Sequence, residues 1–293
     1  MIQRHIDHRH TWRTLCLLAA SAWPTFGLAS PYINITFGSG PDGYHSQAVV
    51  LGADIAKTPL HLGLNHFESK AGDSVTRQQG ADLTWNINDD LSVQAIANRT
   101  EDASFDIAGR ELEVSYDVTT PEFTVKLNLG SNDYRPSKTV PAALLARIPV
   151  QRQTQISLSK KVTDALAVNL SSTWYRYSTD PFALAQAIAS RRRGAPPGPA
   201  FTFSAFPEHA WSAGLTWKFT LHTSASLNAS TAKSVIDQRS DSVSAGLDHK
   251  VGSATVGIKL TQSTSTEVRN ARNAVVMPAS RGSYADITFS YTF

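Results

Sequence analysis

The chain ends with Tyr284-Ala-Asp-Ile-Thr-Phe-Ser-Tyr-Thr-Phe293, and this stretch decides the fold. Its odd-numbered positions, from Ala285 to Phe293, are apolar or aromatic, whereas every even-numbered position carries a hydroxyl or a carboxylate group. Successive side chains of a β-strand point to opposite faces. The alternation therefore predicts a strand with one apolar face and one polar face.

The same alternation recurs from Ser30 onward, and helical periodicity is nearly absent. It predicts fourteen strands in all, although the pattern is compatible with 12 to 16. The apolar positions of the other thirteen are Ile33/Ile35/Phe37, Val49/Leu51/Ala53/Ile55, Leu60/Leu62/Leu64, Ala81/Leu83/Trp85/Ile87, Leu91/Val93/Ala95/Ala97, Leu112/Val114/Tyr116/Val118, Phe123/Val125/Leu127/Leu129, Ile156/Leu158, Leu166/Val168/Leu170, Trp211/Ala213/Leu215/Trp217/Phe219, Ala225/Leu227/Ala229, Val243/Ala245/Leu247 and Ala254/Val256/Ile258/Leu260.

The connections between these strands alternate in length. Short ones are predicted at 57–59, 88–90, 119–121, 163–165, 220–222 and 251–253, and long polar ones near 39–46, 69–76, 100–109, 133–151, 178–208, 232–240 and 264–281. Short periplasmic turns and long extracellular loops are typical of transmembrane barrels, and an even strand count leaves both chain ends on the periplasmic side.

Two-faced strands of this kind can close into a barrel with lipid outside. Lipid offers no partner for unpaired backbone groups, and each would cost several kcal/mol there, so an open sheet edge is excluded. The sequence thus predicts an all-β, up-and-down antiparallel transmembrane barrel of about 14 strands over residues 30–293. The alternative is a soluble sandwich, whose loops would not alternate so regularly in length.

Aromatic residues agree with the barrel. Trp85, Tyr116, Phe123, Trp217, Phe219 and Phe293 are predicted to face outward near the periplasmic turns, and Trp174 and Trp211 near the outer ends. Such girdles mark the two membrane interfaces of transmembrane barrels.

The last ten residues resemble the C-terminal signal of Gram-negative outer-membrane proteins. The resemblance rests on the alternation and on the terminal aromatic residue, Phe293. It implies an outer-membrane, porin-like barrel that the barrel assembly machinery recognises through Phe293. No substrate-specific family follows from it.

Residues 1–29 are predicted to be a cleaved export signal. Arg4, Arg9 and Arg13 precede the short apolar run Leu15–Ala22, and Gly27-Leu-Ala29 is a small-x-small site. Cleavage after Ala29 removes Cys16, the one cysteine, which excludes disulfides, thiolate zinc sites and cysteine nucleophiles. It also lowers the net charge from +3 to +1, so the chain gives no reason to expect nucleic-acid binding.

The polar faces of the strands predict a wettable lumen that carries both charge signs. Fourteen strands fall between filled barrels of about eight and open channels of 16 to 18. The candidate lumen residues are Asp82, Glu111, Glu113, Lys126, Lys218 and Lys259, together with Asp54, Asp117, Lys161, Asp248, Lys250 and Asp286. Opposed charges could orient a solute, or they could pair and brace the barrel.

Two apolar loop segments carry further candidates. Residues 182–189 are compatible with a short helix that ends at Arg191, Arg192 and Arg193, and the segment 140–148 carries Arg147. One hypothesis is that a segment folds inward as a constriction, because an exposed apolar helix needs cover. The alternative places these arginines at the rim, bound to lipopolysaccharide phosphates.

Catalysis is not expected. The strand and turn histidines, His61, His66, His209, His222 and His249, lack a surrounding nucleophile motif. No metal-ligand spacing and no cofactor motif is evident. The favoured function is a passive, porin-like channel for small polar or charged solutes. Export of a surface polysaccharide and a non-conducting adhesin or scaffold remain as alternatives.

Overall fold

A computed structural model describes residues 28–102, 105–119, 122–136, 148–181, 206–269 and 275–293. Nearly all of these residues lie in β-strands. The strands are β1 (Leu28–Ser39), β2 (His45–Ile55), β3 (Leu60–Ala71), β4 (Ser74–Asn86), β5 (Leu91–Glu101), β6 (Phe105–Val118), β7 (Phe123–Pro136), β8 (Val150–Lys161), β9 (Leu166–Tyr177), β10 (Pro207–Lys218), β11 (Thr223–Ser234), β12 (Arg239–Val251), β13 (Ala254–Ser265), β14 (Val268–Arg269), β15 (Val275–Met277) and β16 (Ser280–Thr292), with a 3-10 turn at Pro41–Gly43.

Fourteen strands, β1 to β13 and β16, form one closed antiparallel barrel in chain order, which confirms the predicted fold and strand count. The last strand closes it, because β16 pairs with β1 from Tyr32↔Thr292 to Ser39↔Ala285. The two short strands β14 and β15 form a separate hairpin between β13 and β16. No helix among the described residues is long and apolar enough to cross a membrane.

The barrel is apolar outside and polar inside, the reverse of a water-soluble protein. Its large apolar side chains on the outer face are exposed, as Leu83, Leu129 and Ile258 show. Positions of the opposite parity face inward and carry mainly Ser, Thr, Asn, Gly and charged residues. Only a lipid surround makes the exposure of so much apolar surface favourable, so the outer face is the hydrocarbon-facing one.

The aromatic girdles lie where the sequence predicts them. Trp217 and Phe219 pack against each other near one periplasmic turn, with ring centroids 4.4 Å apart, and Tyr291 and Phe293 contact each other edge to face near the C-terminus, 4.9 Å apart. On the outer side, Trp174 and Trp211 contact each other edge to face across β9 and β10.

Three of the short turns are held by the same hydrogen-bond pattern. Asn88 Oδ1 accepts hydrogen bonds from the backbone N–H groups of Asp90 and Leu91, and the Thr163 and Thr220 hydroxyls do the same at their own turns. A side chain that bonds two residues onward fixes a tight turn. The turn β12–β13 instead uses Gly252, whose φ of +62° favours glycine.

Three predicted long loops are wrong. The loop near 69–76 is a tight turn at Gly72 and Asp73, since β3 and β4 stay paired up to Ala71↔Ser74. The loop near 100–109 shrinks because Glu101 pairs with Asp106, and the one near 232–240 shrinks because Lys233 pairs with Arg239. The strands continue beyond the hydrocarbon, where outward positions become polar and the apolar alternation stops.

Candidate functional site

The interior of the barrel is the candidate site, and its charged residues come from the inward faces of the strands. Of the predicted lumen residues, Glu111 and Glu113 on β6 lie beside Lys126 on β7. Lys126 Nζ and Glu113 Oε1 are 2.8 Å apart, and Asn128 Nδ2 donates to Glu111 Oε2 at 3.0 Å. Both glutamates are therefore held in place by neighbours on the next strand.

Glu111 and Glu113 form an acidic wall of the lumen, and Asp82 on β4 extends this acidic wall toward β3. It accepts a hydrogen bond from Gln94 Nε2 at 2.9 Å, and Gln94 in turn lies opposite Glu113 in the β5–β6 register. Asp82 also leans over Gly63, where a Cβ atom would lie 2.2 Å from its carboxylate. The glycine thus makes room for an acidic side chain against the wall.

Lys259 and Lys218 lie apart from the acidic wall. Lys259 lies opposite Asp286 in the β13–β16 register, yet no salt bridge within 4 Å joins them. Lys218 lies at the periplasmic end of β10, at the edge of a cavity of about 550 Å³ that Asp117, Lys161 and Asp164 also line. Lys161 there lies 3.0 Å from Asp164. This mouth of the barrel carries both signs, as the sequence predicts.

The interior keeps contact with solvent. Asn228, Ser230, Asp248 and Lys259 all face inward on β11 to β13, yet each is exposed. Polar side chains that point into the barrel can be exposed only if open space lies in front of them. This wall therefore borders a water-accessible lumen.

At the outer end of the lumen, aromatic side chains pack together along β6, β7 and the start of β10. Phe105 on β6, Tyr134 on β7 and Phe206 before β10 form a buried aromatic cluster, and Phe206 has no exposed surface. The ring centroids of Phe206 and Tyr134 are 5.4 Å apart, and those of Phe206 and Tyr177 are 5.7 Å apart. Ile148 and Val235 pack against the same cluster.

A polar network holds this cluster to the wall. Asn132 Nδ2 donates to Gln151 Oε1 at 2.6 Å, and Gln151 Nε2 donates to the Tyr177 hydroxyl at 2.8 Å. That hydroxyl donates to the Pro207 carbonyl at 2.6 Å. Phe206 and Ile148 are the described ends of the two long connections, and both contact the aromatic cluster.

The loop arginines Arg147, Arg191, Arg192 and Arg193, and the predicted helix 182–189, lie outside the described residues. Sequence reasoning missed the aromatic cluster. A signal for it exists, since Phe105, Tyr134 and Tyr177 occupy inward positions where the other strands carry polar residues.

Two strand histidines have close polar partners in the described part of the chain. His61 Nδ1 lies 3.0 Å from Asp54 Oδ1, and His249 Nδ1 lies 2.9 Å from the Thr223 hydroxyl, but neither bonds both a carboxylate and a hydroxyl. No group of three or more metal-binding side chains occurs among the residues that the structure describes.

Comparison with solved structures identifies the fold. The chain is similar to the CymD monoaromatic hydrocarbon channel, with a TM-score of 0.57 and 11% identity over 90% of this chain and 89% of that one. The chain has the fold of outer-membrane channel barrels. It is also similar to a bacterial polysaccharide outer membrane secretin, with a TM-score of 0.53 and 8% identity over 90% and 98% of the two chains.

A FadL homologue of Pseudomonas aeruginosa aligns with this outer-membrane barrel at a TM-score of 0.50 and 11% identity, over 91% of this chain and 90% of that one. No protein-family model matches the sequence, and no curated protein matches it. Identities this low establish the fold alone.

Proposed function

We propose that this protein is an outer-membrane channel through which small polar or charged solutes pass passively. The observation that carries the proposal is the set of inward polar side chains that remain exposed, Asn228, Ser230, Asp248 and Lys259. A filled barrel would bury such groups and satisfy them with partners. No energy source is needed, because a concentration gradient drives passage.

The lumen favours polar cargo over apolar cargo. The similar channel CymD is described as one for monoaromatic hydrocarbons, whereas the wall here carries Asp82, Glu111, Glu113 and Lys126. An apolar solute would gain no contacts there that offset the loss of water from those charges. The aromatic cluster around Phe206 occupies inward positions at the outer end, where we expect it to limit the size of the solute.

A polysaccharide is the second candidate cargo. One lateral row on the inward face passes through Ser157, Ser171, Ser212, Ser230, Ser242 and Ser263 on six consecutive strands. Hydroxyl groups both donate and accept hydrogen bonds, as sugar hydroxyls do. This row favours carbohydrate passage, and one of the similar structures is described as a polysaccharide secretin.

Currents through planar bilayers test the channel. We expect discrete single-channel steps in KCl, and addition of a neutral oligosaccharide should interrupt them if carbohydrate enters the lumen. A purified, folded barrel that carries no current would overturn the proposal and leave a non-conducting surface scaffold. Hydrolysis or acyl transfer by the same preparation would instead indicate an enzyme.

A deletion of residues 182–199 addresses the constriction hypothesis. This segment follows β9 and leads to the buried Phe206, so an inward-folding loop should occupy part of the lumen. We expect larger currents from the shortened protein, and unchanged conductance and gating would rule out a role for this segment in narrowing the channel.

A further inference from the structure

A row of basic side chains crosses the outer face of four neighbouring strands. In the registers from β6 to β9, Arg110 lies opposite Ser131, Ser131 opposite Arg152, and Arg152 opposite Arg176. The three arginines share the outward parity of Leu112, Ile156 and Trp174 on their own strands, and all three are exposed.

No salt bridge joins Arg110, Arg152 or Arg176 to any described residue. Two other outward arginines are paired, since Arg77 lies 2.8 Å from Glu68 and Arg99 lies 2.8 Å from Asp106.

Asp133 is the nearest acidic residue on β7, two positions beyond Ser131, and it forms no salt bridge with a described arginine. Arg152 and Arg176 lie directly opposite each other, and like charges in that position destabilise a strand pair. A bound anion between the two would remove the repulsion.

The row lies at the height of the lipid headgroups. Arg110, Arg152 and Arg176 are eight to ten residues from the periplasmic ends of their strands. At about 3.3 Å per residue and a tilt of about 40°, that distance corresponds to roughly 20–25 Å along the membrane normal. The apolar band of such barrels is about 25 Å tall, so the row lies at its outer boundary.

The aromatic girdle marks the same boundary independently. Trp174 lies two residues below Arg176 on β9, and its indole contacts that of Trp211. Both rings are exposed on the outer face, at 42% and 51%. Trp residues collect at the membrane–water interface, so the guanidinium groups just above them lie among the phosphates of the outer leaflet.

We propose that Arg110, Arg152 and Arg176 form a binding site for the phosphate groups of lipid A, the membrane anchor of lipopolysaccharide. A guanidinium group matches a phosphate with two parallel hydrogen bonds, which a lysine cannot form. The Ser131 hydroxyl between the arginines adds a further donor. The site is built on paired strands, so its arginines are positioned before the lipid binds.

The test compares lipid retention by two purified proteins in detergent, measured by native mass spectrometry with bis-phosphorylated lipid A. The first is the triple variant Arg110→Gln, Arg152→Gln and Arg176→Gln. The control is Arg99→Gln, which removes an exposed outward arginine that is already paired with acids. We expect the triple variant to lose about tenfold or more in affinity, and the control to change little, because charge-assisted hydrogen bonds are the strong ones.

Two further arms identify the ligand. Dephosphorylated lipid A should bind the wild-type protein as weakly as bis-phosphorylated lipid A binds the triple variant. Phosphatidylglycerol should bind several-fold less well than lipid A, and equal binding would reduce the row to a general anionic-lipid surface and overturn the assignment. Equal losses in the triple variant and in Arg99→Gln would overturn it as well. Retention of the heat-modifiable gel mobility shows that each variant is folded.

Discussion

Lys126 sets the balance of charge on the acidic wall of the lumen. Its Nζ lies 2.8 Å from Glu113, whereas the partners of Glu111 and Asp82 among the described residues are the neutral amides of Asn128 and Gln94. Two unit charges 4 Å apart interact by about 1 kcal/mol in water and by about 4 kcal/mol near a protein surface. One lysine therefore has a measurable effect on which ions enter.

Replacement of Lys126 by Met should raise the preference for cations. The change leaves Glu113 without its partner, so the lumen becomes more negative and attracts K⁺ more strongly. The reversal potential in a KCl gradient measures the preference. Lys70→Met is the matched control, because Lys70 faces outward at the outer end of β3 and should not alter it. No shift in the Lys126 variant would mean that solute does not pass this wall.

The sequence predicts most of the residues of the candidate site, because inward and outward side chains alternate along each strand. Once the apolar face is assigned outward, the inward placement of Asp82, Glu111, Lys126 and Lys259 follows from period two. Their partners do not follow, because the Lys126–Glu113 pair is diagonal and depends on how β6 and β7 are aligned. The turn between two strands sets that alignment, and period two does not specify it.

At the level of elements, the strands are predictable only as far as the lipid extends. On β3, the outward residues Leu60, Leu62 and Leu64 are apolar. The next two outward residues, His66 and Glu68, are polar. Backbone hydrogen bonds between strands do not depend on side-chain polarity, so the strand continues beyond the point where the apolar alternation ends. The predicted loop near 69–76 is wrong for this reason.

The start of β10 depends on one buried ring. Phe206 is fully buried among Phe105, Tyr134 and Tyr177, and truncation of a core aromatic residue costs about 3–5 kcal/mol. Phe206→Ala should release the first residues of β10 and raise amide hydrogen exchange at 206–210. Conductance should rise with it, because the cluster occupies inward positions at the outer end.

Phe219→Ala provides the comparison. Phe219 is an exposed girdle residue, so its loss should leave exchange at 206–210 unchanged. An equally slow exchange in Phe206→Ala would show that the aromatic cluster does not anchor this strand.

The last strand closes the barrel and also carries the predicted terminal signal. Phe293 donates its backbone N–H to Pro31 O at 2.9 Å, and its ring packs on Tyr291. If the barrel assembly machinery recognises this ring, Phe293→Ala should lower the amount of folded protein in the outer membrane several-fold. Refolding of the same variant from urea into detergent should be close to normal, and an equal defect there would indicate a loss of stability instead.

At the scale of the whole molecule, closure follows from the sequence, whereas the contents of the barrel do not. Fourteen two-faced strands in lipid leave a closed cylinder as the stable arrangement. The packing of Phe206 against Phe105 joins residues about a hundred positions apart, and no local pattern encodes such a contact. The width of the lumen depends on contacts of this kind.

Cysteine accessibility along β13 tests the central claim, that inward positions line a conducting lumen, most directly. Cys16 is the one native cysteine and lies in the predicted signal, so a mature chain without it allows single cysteines at 258, 259, 260 and 261. A charged, membrane-impermeant thiol reagent should modify Lys259→Cys and Thr261→Cys and reduce their single-channel currents, while Ile258→Cys and Leu260→Cys in lipid stay unmodified. Equal modification at all four positions, or modification at 259 and 261 without any change in current, would contradict the account.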